Sequence, residues 1–288
     1  MKPFIMIAAI GVIVCFQGCS SLNQTEAKSK TYEYLAWFDH GSEGEFDPYR
    51  KILSEKIDEV DGEVVDPTKL DKYLDYLTVL DTNNKKPGTE QKIKDFVAKN
   101  PEEKRGLFVL GVHYMRYQKR ELANYFFTLL EKDPNFKWRS LLYNNLGMLS
   151  LQEKDRDKAM NYFTKAIAAE PTIAAPRVNL GALYLQSKSY VEAEPLFRKA
   201  LDIDGDFEDA VLGLGVCLES QGKFAEAHQL YSTFMDSHTQ NVAVLYNDAL
   251  ILAKHLGKRE EASEIMLRYI QRGGKEASKA HEMIQGWR

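Results

Sequence analysis

From residue 104 onward the apolar positions of this chain fall into a long period. Leu146-Gly147, Leu180-Gly181 and Leu214-Gly215 stand 34 residues apart, and so do Ala159, Ala193 and Ala227. The aromatics Phe163, Phe197 and Tyr231 keep the same interval. Within each period the apolar residues are spaced as on helical faces. Upstream, Tyr73, Leu77, Leu80, Ile93 and Phe96 also lie at helical spacing, as do Tyr49, Ile52, Leu53, Ile57 and Val60. The chain therefore reads as all-α.

The period resembles the tetratricopeptide repeat: a large residue at position 4, Leu-Gly at 7 and 8, a bulky residue at 11, Ala at 20, an aromatic at 24, Ala at 27 and Pro at 32. Residues 140–173 supply Tyr143, Leu146, Gly147, Ala159, Phe163, Ala166 and Pro171, and 174–207 supply Leu180, Gly181, Tyr184, Ala193, Phe197 and Ala200. The pattern keeps register in 104–139, with two extra residues around Pro134, and in 208–241, where Phe234 replaces the alanine at 27. In 242–275, Ala249 takes the glycine's place, and one inserted residue brings Ala262 and Met266 into line. The resemblance implies a tetratricopeptide repeat superhelix of five clear repeats plus a degenerate one over 70–103, preceded by an N-terminal helical extension at 47–69. Residues 276–288 read as a helix covering the open end of the last repeat. Asp47-Pro48, Asp66-Pro67 and Asn100-Pro101 are expected to start helices, because each offers a side-chain cap followed by proline.

The other end of the chain bears on compartment. After Lys2, residues 4–16 carry no charge, too short a run to span a membrane and suited to a secretory leader. Phe16-Gln17-Gly18-Cys19 resembles the lipobox of bacterial lipoproteins, although Gln17 stands where a small residue is usual. The resemblance implies a signal peptide over 1–18, lipidation of Cys19 and a polar tether from 19 to 46. Ser20 and Ser21 follow with no aspartate, which by the lipoprotein sorting rule implies the outer membrane, facing the periplasm. Loss of the leader and its Lys2 moves the formal net charge from −4 to −5, and nothing in the composition points to nucleic acid. Of the three cysteines only Cys217 then remains as a thiol, so no internal disulfide is expected.

Candidate chemistry is sparse. His40, His113, His228, His238, His255 and His281 show no paired ligand spacing, and Cys217 has no second cysteine near it, so neither metal nor cofactor is expected. His113 and Cys217 share position 10 of a first helix, which favours core packing. Gly213-Leu214-Gly215 lies inside a helical pattern, where glycines serve packing and not a dinucleotide. Ser220 to Lys223 has the spacing of a serine–lysine motif but falls at a turn between repeat helices. The acidic run from Asp202 to Asp209 has Phe207 where a calcium loop needs glycine, and reads as a solvated turn. An enzyme is not expected.

In repeats of this kind the first helices line the concave surface through positions 2, 5, 9, 12 and 13. Here these are mainly Phe108, Val112, Met115, Leu141, Asn144, Met148, Leu151, Val178, Ala182, Leu185, Leu212, Val216, Tyr246 and Leu250. The expected partner-binding groove is thus apolar, suited to an amphipathic helix or an extended hydrophobic segment. Asn144 alone corresponds to the family's carboxylate clamps, whose lysines are missing. The N-terminal helix or the patch Tyr32-Glu33-Tyr34-Leu35-Ala36-Trp37-Phe38 is an alternative, internal occupant. Leader, cysteine and repeats together resemble the pilotin lipoproteins that assist type IV pilus secretins. The expected partner is accordingly an envelope protein such as a secretin. Adaptors for peptidoglycan hydrolases and components of gliding-motility complexes remain alternatives on the same repeats.

Overall fold

The computed structural model describes residues 88–238 and 241–287. Cys19, the leader, the tether, the extension at 47–69 with both of its Asp-Pro pairs, and residues 70–87 of the degenerate repeat lie outside the described residues. Those described form twelve α-helices and no strand. They divide after Pro176 into two compact units.

The first unit holds α1 (Thr89–Lys99), α2 (Lys104–Arg116), α3 (Arg120–Glu131), α4 (Arg139–Gln152) and α5 (Arg156–Ala169). Helices α2 with α3, and α4 with α5, are the two pairs that the repeat period demands. Each pair closes around an aromatic of its second helix: Phe127 and Phe163 are fully buried, each beneath the glycine at position 8 of the first helix. Helix α1 packs on α2 and lies within the span 70–103 expected to hold the degenerate repeat. Its Glu90 accepts hydrogen bonds from the Tyr114 hydroxyl and Lys119 Nζ, both at 3.0 Å. Lys94, then Lys119, lower the Glu90 carboxyl to about 2.

Asn100-Pro101 does not start a helix. Asn100 closes α1, donating from its side chain to the Phe96 carbonyl, and α2 begins only after Glu103, whose carboxylate accepts from the Arg105 amide. A carboxylate facing the free N–H groups of a first turn does the capping that was expected of Asn100. The two extra residues before α4 also have a role. They bring Phe136 and Trp138 against Phe108, with ring centroids 5.9 and 5.7 Å away, and the Arg105 guanidinium lies over the Trp138 ring.

Helix α6 (Ala175–Gln186) crosses the division, and the second unit continues with α7 (Tyr190–Ile203), α8 (Glu208–Ser220), α9 (Phe224–Ser237), α10 (Val242–Lys254), α11 (Arg259–Gln271) and α12 (Ala277–Trp287). Phe197 and Tyr231 fill the places of Phe127 and Phe163. The residue inserted in the last repeat sits in the α10–α11 turn, which leaves the helix pair itself in register. Trp287 of α12 packs against Leu252, Ala253 and Ala262 and so covers the end of that repeat. The acidic turn between α7 and α8 is solvated except for Phe207, which is buried.

In each of the five repeats from residue 104 onward the turn between the two helices passes through a left-handed residue. Gln118, Lys154 and Lys188 hold φ of 58°, 63° and 61°, and Gly222 and Gly257 hold 75° and 71°. This conformation lets the chain reverse in three or four residues, and only glycine adopts it without penalty.

Candidate partner-binding surface

First helices carry the expected groove, and their environments can be compared within each unit. In the first unit, Phe108, Val112 and Met115 of α2 and Leu141, Asn144, Met148 and Leu151 of α4 are all buried, the most open being Leu151 at 9 %. Phe108 packs inward: its ring lies 5.6 Å from that of Phe127 on the paired helix. In the second unit, Val178 and Leu185 of α6, Val216 of α8, and Tyr246 and Leu250 of α10 are buried, while Leu212 is half-buried. Tyr246 also packs within its own pair, 5.1 Å from the ring of Tyr269. Position 5 thus also serves helix pairing in two repeats, at Phe108 and Tyr246. Most of α4 and α10 is buried, Tyr143 being half-buried and Lys254 exposed, which fits their weak amphipathicity.

The second unit also contains a buried polar cluster that the period alone does not reveal. Asp248 of α10 is buried, and its Oδ1 lies 2.7 Å from Nδ1 of His228 on α9. Burial raises the Asp248 carboxyl, and the histidine only partly counteracts this. On its other side His228 Nε2 faces Glu261 of α11 at 3.8 Å. With both ring nitrogens turned to carboxylates, the imidazole has no free nitrogen to activate a nucleophile, so the group ties three helices together. Beside it, the Tyr231 hydroxyl adjoins Glu219 of α8 and Asn247 of α10. Burial pushes the Glu219 carboxyl up to about 7, against the weaker pull of Lys254. A sequence signal for this cluster does exist: Asp248 occupies position 7, where Leu146, Leu180 and Leu214 stand in other repeats.

Elsewhere the unusual residues are structural. Cys217 is fully buried, and burial pushes its thiol up to about 12. His113 is buried between Tyr114 and Tyr117, with Nε2 3.6 Å from Glu90. Gly213 and Gly215 lie inside α8 against the rings of Phe197 and Tyr231. Lys223, at the α8–α9 turn, pairs with Glu194 of α7 at 3.1 Å. Burial alone would raise Glu194, but hydrogen bonds from Gln221, Arg198 and Lys223 hold it near 2. Among the described residues no group of acidic, histidine or cysteine side chains is disposed to hold a metal ion, and no helix is long and apolar enough to cross a membrane.

Helix pairs in this register define a tetratricopeptide-repeat fold. Residues 141–173 and 184–247 match models of the tetratricopeptide repeat. No curated protein matches the chain by sequence. Among solved structures the fold is similar to YrrB, a TPR protein described as having an unusual peptide-binding site (TM-score 0.54, 18 % identity, covering 68 % of this chain and 99 % of that one). It is also similar to the APC/C hetero-tetramer Cut9-Hcn1 (0.61, 15 %, 84 % of this chain and 46 % of that one). A third is PilW, described as a widely conserved type IV pilus biogenesis factor (0.50, 22 %, 64 % and 92 %). At these identities the likeness is one of fold, and the fold is that of a protein-interaction scaffold.

Proposed function

We propose that this protein is a non-enzymatic, lipid-anchored scaffold that acts as an assembly or piloting factor for an envelope machine such as the type IV pilus secretin. The observation that carries the reading is a conjunction. Residues 1–18, which read as a leader, and Cys19 after them precede repeats similar in fold to PilW, a type IV pilus biogenesis factor, over 92 % of that protein's length. On this reading lipidated Cys19 holds the chain at the outer membrane facing the periplasm, several acyl chains making the anchor stable. The repeats then present apolar first-helix faces to a segment of the secretin, and burial of that segment at about 25 cal/mol per Å² drives association. No cofactor or catalytic group takes part.

Deletion of the gene is expected to lower the level of heat- and detergent-resistant secretin multimers, with recovery on complementation by the wild type and none by Cys19→Ala. Normal multimers alongside mislocalised murein hydrolase activity would transfer the role to a peptidoglycan-hydrolase adaptor.

A further inference from the structure

Two register positions that are apolar in the other repeats change character together in the fourth, residues 208–241. At position 12, a lining position of the first helices, the others carry Met115, Leu151, Leu185 and Ala253, and the fourth carries Glu219. At position 24 they carry Phe127, Phe163, Phe197 and Met266, and the fourth carries Tyr231. The two departures meet. The Tyr231 hydroxyl lies over Gly215, one turn before Glu219 on α8, and adjoins both Glu219 and Asn247 of α10. Glu219 is half-buried on the same face of α8 as Leu212 and Val216, at i, i+4 and i+7 spacing, while Tyr231 and Asn247 are buried. Glu219 Oε1, Tyr231 Oη and Asn247 Oδ1 are all closed off from solvent, and none stands in hydrogen-bonding geometry to a partner. Polar oxygens buried this way are destabilising, so three of them together beside an apolar lining point to an occupant.

The carboxylate selects its chemistry. A water molecule would satisfy the oxygens and leave the charge of Glu219 uncompensated. Burial raises this carboxyl, and Lys254, exposed on α10, opposes the rise only through space. A group bringing positive charge together with several N–H donors answers both needs, and lysine and arginine side chains carry both. We propose that the first-helix face of the second unit takes a partner segment that is apolar except for one lysine or arginine, with Glu219 as its counter-ion and Tyr231 and Asn247 as further acceptors. The aliphatic stem of the basic residue lies along Leu212 and Val216. This rests on the reading of first-helix faces as the partner surface, and adds what the partner must carry.

Selection of a phage-displayed library of random dodecapeptides on the purified full chain tests it, followed by fluorescence anisotropy of the enriched peptides. Apolar peptides with a lysine or arginine at one fixed place should be enriched, and Leu212→Glu should abolish their binding at unchanged circular dichroism. Norleucine in place of the basic residue should weaken binding about tenfold or more. Glu219→Gln should weaken the basic peptide to a similar extent and leave the norleucine peptide unchanged. Peptides that need Leu212 but show no fixed basic residue, or bind Glu219→Gln equally well, overturn this inference and leave the partner surface standing. Absence of any enriched peptide, including the case in which the chain's own N-terminal segment covers the face, overturns both, as does binding indifferent to Leu212→Glu.

Discussion

Gly147 and Phe163 occupy one space: a Cβ on Gly147 would lie 2.5 Å from Cε1 of the Phe163 ring. The same relation recurs between Gly111 and Phe127 and between Gly181 and Phe197. The glycine at position 8 exists so that the aromatic at position 24 can lie flat across the first helix. Since Phe163 is walled in, it cannot swing aside at low cost.

Gly147→Ala should therefore destabilise the chain by roughly 1–3 kcal/mol through overpacking, despite alanine's better helix propensity. Chemical denaturation reads the loss directly. Adding Phe163→Leu should recover part of it, because the smaller side chain vacates the clash. Additive losses in the double variant would show that the two residues do not share one space.

The left-handed turn residues lead to a gain. Lys154 and Lys188 hold positive φ where Gly222 and Gly257 do so freely. Lys154→Gly and Lys188→Gly should each raise stability by up to about 1 kcal/mol, since the relief of left-handed strain exceeds the added entropy of the unfolded chain. An unchanged or lower melting temperature in both would mean that the lysine side chains contribute more than the strain costs.

Legibility in the sequence follows the same physics. Leu146-Gly147, Ala159 and Phe163 must recur because every helix pair meets a copy of itself, so the period reported the helix pairs and even the single-residue insertion near Leu256. Gly147 was read as allowing backbones to approach, whereas its direct neighbour is a ring. Glu103 was invisible as a cap, because glutamate caps only when a particular turn brings its carboxylate back to the Arg105 amide. The family's register places position 5 on the concave side, and it gives no sign that Phe108 and Tyr246 also pack on Phe127 and Tyr269 of their own pairs. The departures at Glu219 and Tyr231 were legible in principle, by comparing the same register position across repeats instead of searching for residues that agree.

The buried pair of His228 and Asp248 should behave as a unit. Asp248→Ala alone is expected to destabilise the chain by about 1–3 kcal/mol, because it leaves the polar imidazole of His228 without its buried partner. Asp248→Leu with His228→Leu restores the leucine of other repeats at position 7 and should lie near wild-type stability. A loss in the double variant equal to the sum of the two single losses would mean that the pair is not coupled.

Glu219 makes the stability of the second unit depend on pH in a direction opposite to that of most carboxylates. Its ordinary value is 4.5, and burial beside Tyr231 pushes it up to about 7 in the folded chain. Between those values the folded state retains a proton that the unfolded state has released, so unfolding is favoured as pH rises. The stability that protonated Glu219 provides is complete below about pH 4.5, falls through the neutral range, and is lost above about pH 7, where the folded chain must hold a buried carboxylate. The difference should amount to roughly 1–3 kcal/mol. Glu219→Gln keeps the shape and removes the proton equilibrium. It should be more stable than the wild type at pH 8 and lose the part of the pH slope between 5 and 8 that Glu219 contributes. Urea midpoints measured across that range decide the matter, and parallel curves for the two proteins would show that Glu219 titrates normally.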